Sequence, residues 1–337
     1  MNKNNAIAST LLASLAVLWA AQASAQPPAQ DFPTSTEAPA GMLTIDSEND
    51  VPGFSVQELV YAKRDALELK LKLVNPNAAP GAGGPPAPGA APAGPGKPVI
   101  VYVQGSAWFP FDNLGTLNRA IDLAEHTGFV VASLQYRYSS IAKAPAQIQD
   151  VKSAIRYLRA NAQRLRLNPD KIGILGDSSG GHLAVLTGTS DGVKEFVTDD
   201  NAGLSSGVQA VVDFFGPTDF KQMSKFPSSF KHDDANSPES TLIGGPIQAP
   251  ENAAKVEAYN PIHYVSKDKK LPPFLIMHGD KDALVPFNQS VLLYQALKDA
   301  NQPVTFYKVK GAGHEIRFWT PAVMDIVYKF FTRELKN

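Results

Sequence analysis

Ile172-Gly173-Ile174-Leu175-Gly176-Asp177-Ser178-Ser179-Gly180-Gly181-His182-Leu183-Ala184-Val185-Leu186 is the stretch that decides the fold. A short apolar run enters Gly-x-Ser-x-Gly and a second apolar run leaves it, which predicts a strand, a sharp turn and a helix. Small residues on both sides of the turn let the chain double back so tightly. Ser178 is then left at the tip in strained backbone geometry. The positive end of a helix dipole lies beneath it and the Ser179 amide lies next to it. A hydroxyl in that position is a candidate nucleophile.

Moving outward, apolar runs alternate with helical patterns: Val99 to Val103, Phe129 to Leu134, Val208 to Phe214, Phe274 to Met277 and Val304 to Val309 read as strands. Helices are expected at Leu117 to His126, Val291 to Leu297 and Ala322 to Phe331, with one long amphipathic helix from Ala144 to Leu165. Such alternation predicts an α/β protein with a mostly parallel central sheet covered by helices on both faces. Ahead of it, Val56 to Tyr61 and Leu67 to Val74 alternate apolar and polar residues, as an antiparallel pair with one wet face does. Residues 76–98 are almost entirely Pro, Ala and Gly, an extended loop inserted between two strands. Residues 218–272 lack periodicity and should form a partly helical, lid-like excursion over the sheet, where such segments shape binding pockets.

The N-terminal residues predict export. Lys3, the apolar stretch Ala6 to Ala21 and the small-x-small Ala23-Ser24-Ala25 form a signal peptide over 1–25, cleaved after Ala25 and followed by a flexible leader over 26–53. The catalytic domain should then span 54–337, in a periplasmic or secreted protein. A net charge of -1 with no basic stripe argues against nucleic acid as a partner, and no later segment is apolar enough to be a membrane partner. With no cysteine in 337 residues, disulfides, thiolate metal sites and a cysteine nucleophile are excluded.

Serine is a poor nucleophile at neutral pH, so acyl-transfer chemistry requires a base and a group to orient it. Of six histidines, His314 stands in a small-residue loop, Gly311-Ala312-Gly313-His314, after the last strand. The acid should follow the preceding strand, in His278-Gly279-Asp280-Lys281-Asp282. Asp282 reaches further towards His314 and is the choice; Asp280 is the alternative, better placed to hold the turn. The oxyanion formed on attack needs amide donors, and Gln104-Gly105-Ser106-Ala107-Trp108 offers those of Ser106 and Ala107 beside that of Ser179. Trp108 and Phe109, with Phe111, are candidates for the substrate pocket. His278 with Asp280 and Asp282, or His232 with Asp233 and Asp234, lacks a third imidazole or helical spacing, so no metal and no cofactor is expected.

From about Val60 to Phe331 the chain resembles the α/β-hydrolase superfamily, and within it bodiless feruloyl esterase-like and carboxylesterase or acetylesterase relatives. The resemblance rests on Gly176 to Ala184, Ser237-Pro238-Glu239-Ser240 with Leu242 to Pro246, His278 to Asp282 with Val285-Pro286, and Gly313-His314. It implies a serine carboxylic-ester hydrolase with the triad Ser178, Asp282 and His314 and no cofactor. Its substrate would be a small-molecule or carbohydrate-linked ester. Amide-bond hydrolysis on the same triad, or an inactive hydrolase fold that only binds, are the competing readings. Where relatives carry His in the oxyanion loop this chain has Gln104, which can hydrogen-bond the loop in place. Acyl group, alcohol side and oligomeric state are not written in these motifs.

Overall fold

The computed structural model describes residues 41, 43, 51–76, 96–111 and 114–336. The expected signal peptide, most of the expected leader and the bulk of the Pro/Ala/Gly loop lie outside the described residues. Strands β1 (Phe54–Arg64) and β2 (Leu67–Pro76) form the expected antiparallel pair. Strand β2 also pairs antiparallel with β4 (Val130–Leu134). The others, β3 (Lys97–Val103), β5 (Leu167–Asp177), β6 (Ala210–Phe214), β7 (Phe274–Gly279) and β8 (Val304–Val309), complete an eight-stranded sheet in the order β1-β2-β4-β3-β5-β6-β7-β8. From β4 to β8 every pairing is parallel.

Strand β3 shows why the central sheet reads as continuous apolar runs. Val99, Val101 and Val103 enter the core on one face while Ile100 and Tyr102 enter the core on the other, and all five are fully buried. Full burial of an aliphatic side chain is worth about 1.5–3 kcal/mol, so this strand holds the sheet against both helix layers. On one face pack α1 (Leu114–Thr127) and the C-terminal helix, α8 (Pro321–Lys336), through Leu117, Leu123, Val327 and Phe331. On the other lie α2 (Ala146–Ala160), α4 (Ser179–Thr189) and α7 (Asn288–Asp299), through residues such as Ile148, Ile155, Leu183 and Leu293.

The single long helix expected over 144–165 is a correction. It starts at Ala146, after Pro145, because the residue before a proline is disfavoured in helical backbone. It stops at Asn161, whose side chain donates to the Tyr157 carbonyl and competes with the helical ladder, and a four-residue α3 (Ala162–Leu165) follows. Arg166, in the left-handed region at φ 56°, then turns the chain into β5.

The excursion over 218–272 is partly helical, as expected. It holds α5 (Pro238–Ile243), α6 (Ala253–Tyr259) and short 3-10 turns. Helix α5 is punctuated by its own sequence: the Ser237 side chain accepts from the Ser240 amide, Pro238 opens the first turn, and Gly244 ends it at φ 91°. Among the described residues no helix is long and apolar enough to cross a membrane.

Strand order reverses at β3, which neighbours β4 on one side and β5 on the other. In an open parallel sheet the crevice beyond the carboxyl ends of two such strands is where ligands bind. The Gln104 loop leaves β3 there, and Ser178 stands at the end of β5.

Candidate active site

The turn after β5 is enforced by close backbone crossings. A Cβ on Gly176 would lie 2.1 Å from the Gly180 carbonyl oxygen, and one on Gly180 would lie 2.0 Å from that of Val103. Only glycine fits at these positions. Ser178 takes φ 53° and ψ -125°, a conformation that side-chain-bearing residues adopt only under constraint. Its amide donates to the Phe214 carbonyl (2.8 Å) and its carbonyl accepts from the His182 amide (3.0 Å), which pins it between β6 and α4.

His314 and Asp282 meet at this tip. The Asp282 carboxylate accepts from His314 Nδ1 at 2.7 Å, and the opposite ring nitrogen, Nε2, lies 3.0 Å from Ser178 Oγ. With Nδ1 donating to a carboxylate, Nε2 presents its lone pair and Ser178 donates to it. The Phe215 ring lies 4.6 Å from the imidazole and limits its rotation. The Asp282 side chain is fully buried, and its other oxygen accepts from the Leu284 (2.8 Å) and Val285 (3.0 Å) amides. Burial alone would raise the Asp282 carboxyl; contacts with His278 and His314 outweigh it and hold the group well below the usual carboxylate range. His278 Nε2 stands 3.2 Å from the Asp282 oxygen that faces His314. Asp280, the alternative acid, instead accepts from the Gly311 amide at 2.7 Å and so ties the acid loop to the base loop.

The loop after β3 reaches the elbow, with three departures from expectation. First, the Ser106 amide is committed: it donates to Ser179 Oγ at 2.8 Å, and the Trp108 amide donates to the same oxygen at 3.3 Å. Among the described residues no acceptor takes the amide protons of Ala107 and Ser179. Ala107 and Trp108 both sit in the left-handed region, at φ 52° and 59°. Second, Trp108 is buried, packing edge-on against His182 and Phe220, so it is core and cannot wall a pocket. Phe109 stays half-buried. Third, Gln104 Oε1 has no hydrogen-bond partner among the described residues, so this oxygen does not tie the loop to them. Tyr136 does so instead: its hydroxyl donates to the Gln104 carbonyl (3.1 Å) and lies 3.2 Å from Ser106 Oγ.

Tyr136 and Phe215 were not singled out from sequence. Phe215 directly follows β6 and Tyr136 stands two residues past β4, both at the carboxyl edge, a signal shared by many residues with no such contact. Among the described residues no group of three His, Asp or Glu side chains is placed to hold a metal ion. The joined Ser178, His314 and Asp282 can activate a hydroxyl for attack on an acyl carbon and return the proton to a leaving group.

Comparison with known proteins agrees with this chemistry. The BD-FAE family model matches residues 90–297. Esterase LipC of Mycobacterium tuberculosis (strain ATCC 25618 / H37Rv) is 28% identical over 218 residues, covering 64% of this chain and 52% of that protein. Esterase LipQ of the same organism is 30% identical over 239 residues, covering 65% and 51%. The chain thus spans about half the length of the curated relatives it matches. Among solved structures, a truncated form of a carbohydrate esterase from gut microbiota superposes with a TM-score of 0.69 at 34% identity, over 85% of this chain and 98% of that one. Esterase Est2 of the Planctomycetes species Thermogutta terrifontis superposes with a TM-score of 0.62 at 25% identity, over 84% and 92%. The fold is that of the α/β-hydrolases.

Proposed function

Because the chain belongs to the BD-FAE family, and because Ser178, His314 and Asp282 form one hydrogen-bonded line at the switch point of the sheet, we propose that it is a serine carboxylic-ester hydrolase. Ser178 Oγ attacks the ester carbonyl carbon while its proton passes to His314 Nε2. The carbonyl oxygen becomes an oxyanion received by the Ala107 and Ser179 amides; Ser106 serves by tethering that loop to Ser179 Oγ. Collapse of the tetrahedral species breaks the ester C–O bond, and His314 gives its proton to the departing alcohol. Water then attacks the acyl-Ser178 with His314 again as base, releasing acid and free serine. Asp282 keeps His314 in the Nδ1–H tautomer and balances the charge of the imidazolium.

The observation that carries this reading is the 3.0 Å approach of His314 Nε2 to Ser178 Oγ in a histidine whose other nitrogen is fixed by a buried carboxylate. We expect Ser178→Ala to lower kcat on a nitrophenyl ester by about a thousandfold or more while leaving the melting temperature unchanged. Activity within tenfold of the wild type would remove Ser178 from the mechanism.

We further propose short-chain acyl, acetyl or feruloyl esters of plant-type carbohydrates as substrates; the likeness to a carbohydrate esterase supports the carbohydrate part of that reading. A panel of acetyl, butyryl, octanoyl and feruloyl esters beside aminoacyl anilides tests this, and faster anilide cleavage would redirect the reading to amide hydrolysis. Export is proposed from residues 1–25, and N-terminal sequencing of the mature protein should begin at Gln26.

A further inference from the structure

The residue before Ser178 and the residue after His314 are both acidic, and one guanidinium connects them. Arg119, on α1, donates through Nη2 to Glu315 Oε2 at 2.6 Å and through Nη1 to the Tyr102 hydroxyl at 2.9 Å. That hydroxyl, with its lone pair facing Arg119, donates onward to Asp177 Oδ1 at 2.8 Å. The other Asp177 oxygen accepts from the Gly105 amide at 3.1 Å, so the chain also reaches the loop after β3. The Arg119 guanidinium stacks 3.8 Å over the Trp319 ring, whose Nε1 donates to the same Glu315 oxygen at 2.6 Å. Tyr102 and Asp177 are buried, and the Arg119 and Glu315 side chains are 29% and 35% exposed. Burial and the nearby Glu315 charge push the Asp177 carboxyl up, and the Arg119 cation acts in the opposite sense.

A second observation concerns the base loop itself. Glu315 and Arg317 both occupy the left-handed region, at φ 66° and 58°, in the three residues after His314. From Gly313 onward the backbone bonds of the loop are internal: the Ile316 amide to the His314 carbonyl, the Gly313 amide to the Ile316 carbonyl, and the Phe318 amide to the Glu315 carbonyl; before it, the Lys281 amide donates to the Ala312 carbonyl at 2.8 Å and joins the loop to the acid loop. They shape the loop without fixing it against the elbow. Asp280 and Asp282 anchor its approach from the β7 side, and Arg119 anchors it from the α1 side.

We propose that Arg119 is a positioning residue: it locks Glu315 to the Tyr102–Asp177 pair beneath the elbow and thereby sets the separation of Ser178 and His314. The proposal rests on Ser178 and His314 acting as nucleophile and base. Misplacement of a reacting group by about 1 Å can cost 10²-fold in rate. The role therefore predicts a loss in kcat at nearly constant KM, whereas an ion pair that only stabilised the fold would change the melting temperature and leave both constants alone.

The test uses the full chain with Arg119→Ala, Glu315→Ala and the double variant. Each is assayed on a nitrophenyl ester, and sulfonylation of Ser178 by phenylmethylsulfonyl fluoride is followed by mass spectrometry. Each single variant should lose roughly 10- to 100-fold in kcat, with KM within about twofold and a parallel fall in sulfonylation rate. The double variant should be no slower than the slower single one, because both break one connection. Added guanidinium ion should restore part of the Arg119→Ala rate and none of the Glu315→Ala rate. Should Arg119→Ala not fold, Glu315→Ala, at a half-exposed loop site, carries the test alone. A folded variant with wild-type kcat and wild-type sulfonylation overturns the positioning role while leaving Ser178 as nucleophile. An active wild type whose Ser178 is never sulfonylated overturns the mechanism and the positioning role together.

Discussion

The nucleophile elbow and the base loop present their side chains to the same point, yet Ser178 and His314 are held by different means. The elbow is held by backbone against backbone, with glycines at 176 and 180 crossing neighbouring carbonyls at distances no β-carbon tolerates. The base loop has no such crossing at Gly313, where an added Cβ would come no nearer than 3.4 Å to a neighbour. Backbone meets backbone on its approach, where Gly279 crosses the Ala312 carbonyl, but around His314 itself polar side chains do the holding: Asp280 on the Gly311 amide, Asp282 on His314, and Arg119 on Glu315. Steric enforcement is local and rigid. Polar tethering spans distant segments and can be adjusted by one side chain at a time.

That contrast can be broken at defined points. Gly180→Ala should have the largest structural effect, because its β-carbon would overlap the Val103 carbonyl. We expect a loss of about 3 kcal/mol or more, read as a drop in urea midpoint together with loss of esterase activity. A stable, active Gly180→Ala protein would mean that the crossing is slack.

The polar side of the contrast has a pH signature. His232, in the excursion, faces Glu239 through Nδ1 (3.0 Å) and the Leu284 carbonyl of the acid loop through Nε2 (3.1 Å), with Ser228 Oγ also near Nε2 (3.0 Å). Two oxygen acceptors at opposite nitrogens fit the doubly protonated ring. Burial by itself would lower the His232 value, but the hydrogen bond and charge of Glu239 outweigh it and raise it above the ordinary value of about 6.5. A folded value above the unfolded one means the contribution is complete below that ordinary value and is lost as pH rises through the folded one. The melting temperature of the wild type should therefore fall, relative to His232→Gln, on going from pH 6 to pH 9. Parallel pH profiles for the two proteins would show that the pair is not charged.

The smallest effect is expected at Gly313, directly beside the base. Gly313→Ala should change stability by no more than about 0.5 kcal/mol and leave kcat within severalfold, measured by thermal melts and ester kinetics. A loss like that of Gly180→Ala would place a steric lock beside His314 itself and erase the contrast.

Much of this was legible in the chain. The parallel strands announce themselves as apolar runs because both faces of each are buried, and the elbow is visible because its glycines, its strand and its helix are contiguous. His314 and Asp282 could be chosen by their places after the last two strands. The misses share a cause. Whether the Ser106 amide faces a ligand or Ser179 Oγ, and whether Trp108 walls a pocket or fills the core, depends on rotations of a few bonds set by packing partners far away in the sequence. Asn161 interrupting a helix was hidden for a milder reason: an apolar periodicity that continues past a break looks like one helix.

The order of residues alone determined which segments become strands, where the serine must turn, and which histidine and carboxylate follow the right strands. Periodicity and glycine placement act over a few neighbours, so a linear reading captures them. Only the tertiary structure decided that Arg119, Tyr102 and Glu315, spread over 213 positions, meet beneath the nucleophile, and that Tyr136, and not Gln104 Oε1, ties the loop after β3. Such contacts come from the packing of α1 on β2, β4 and α8, and no local pattern encodes a distance between elements that are apart in sequence.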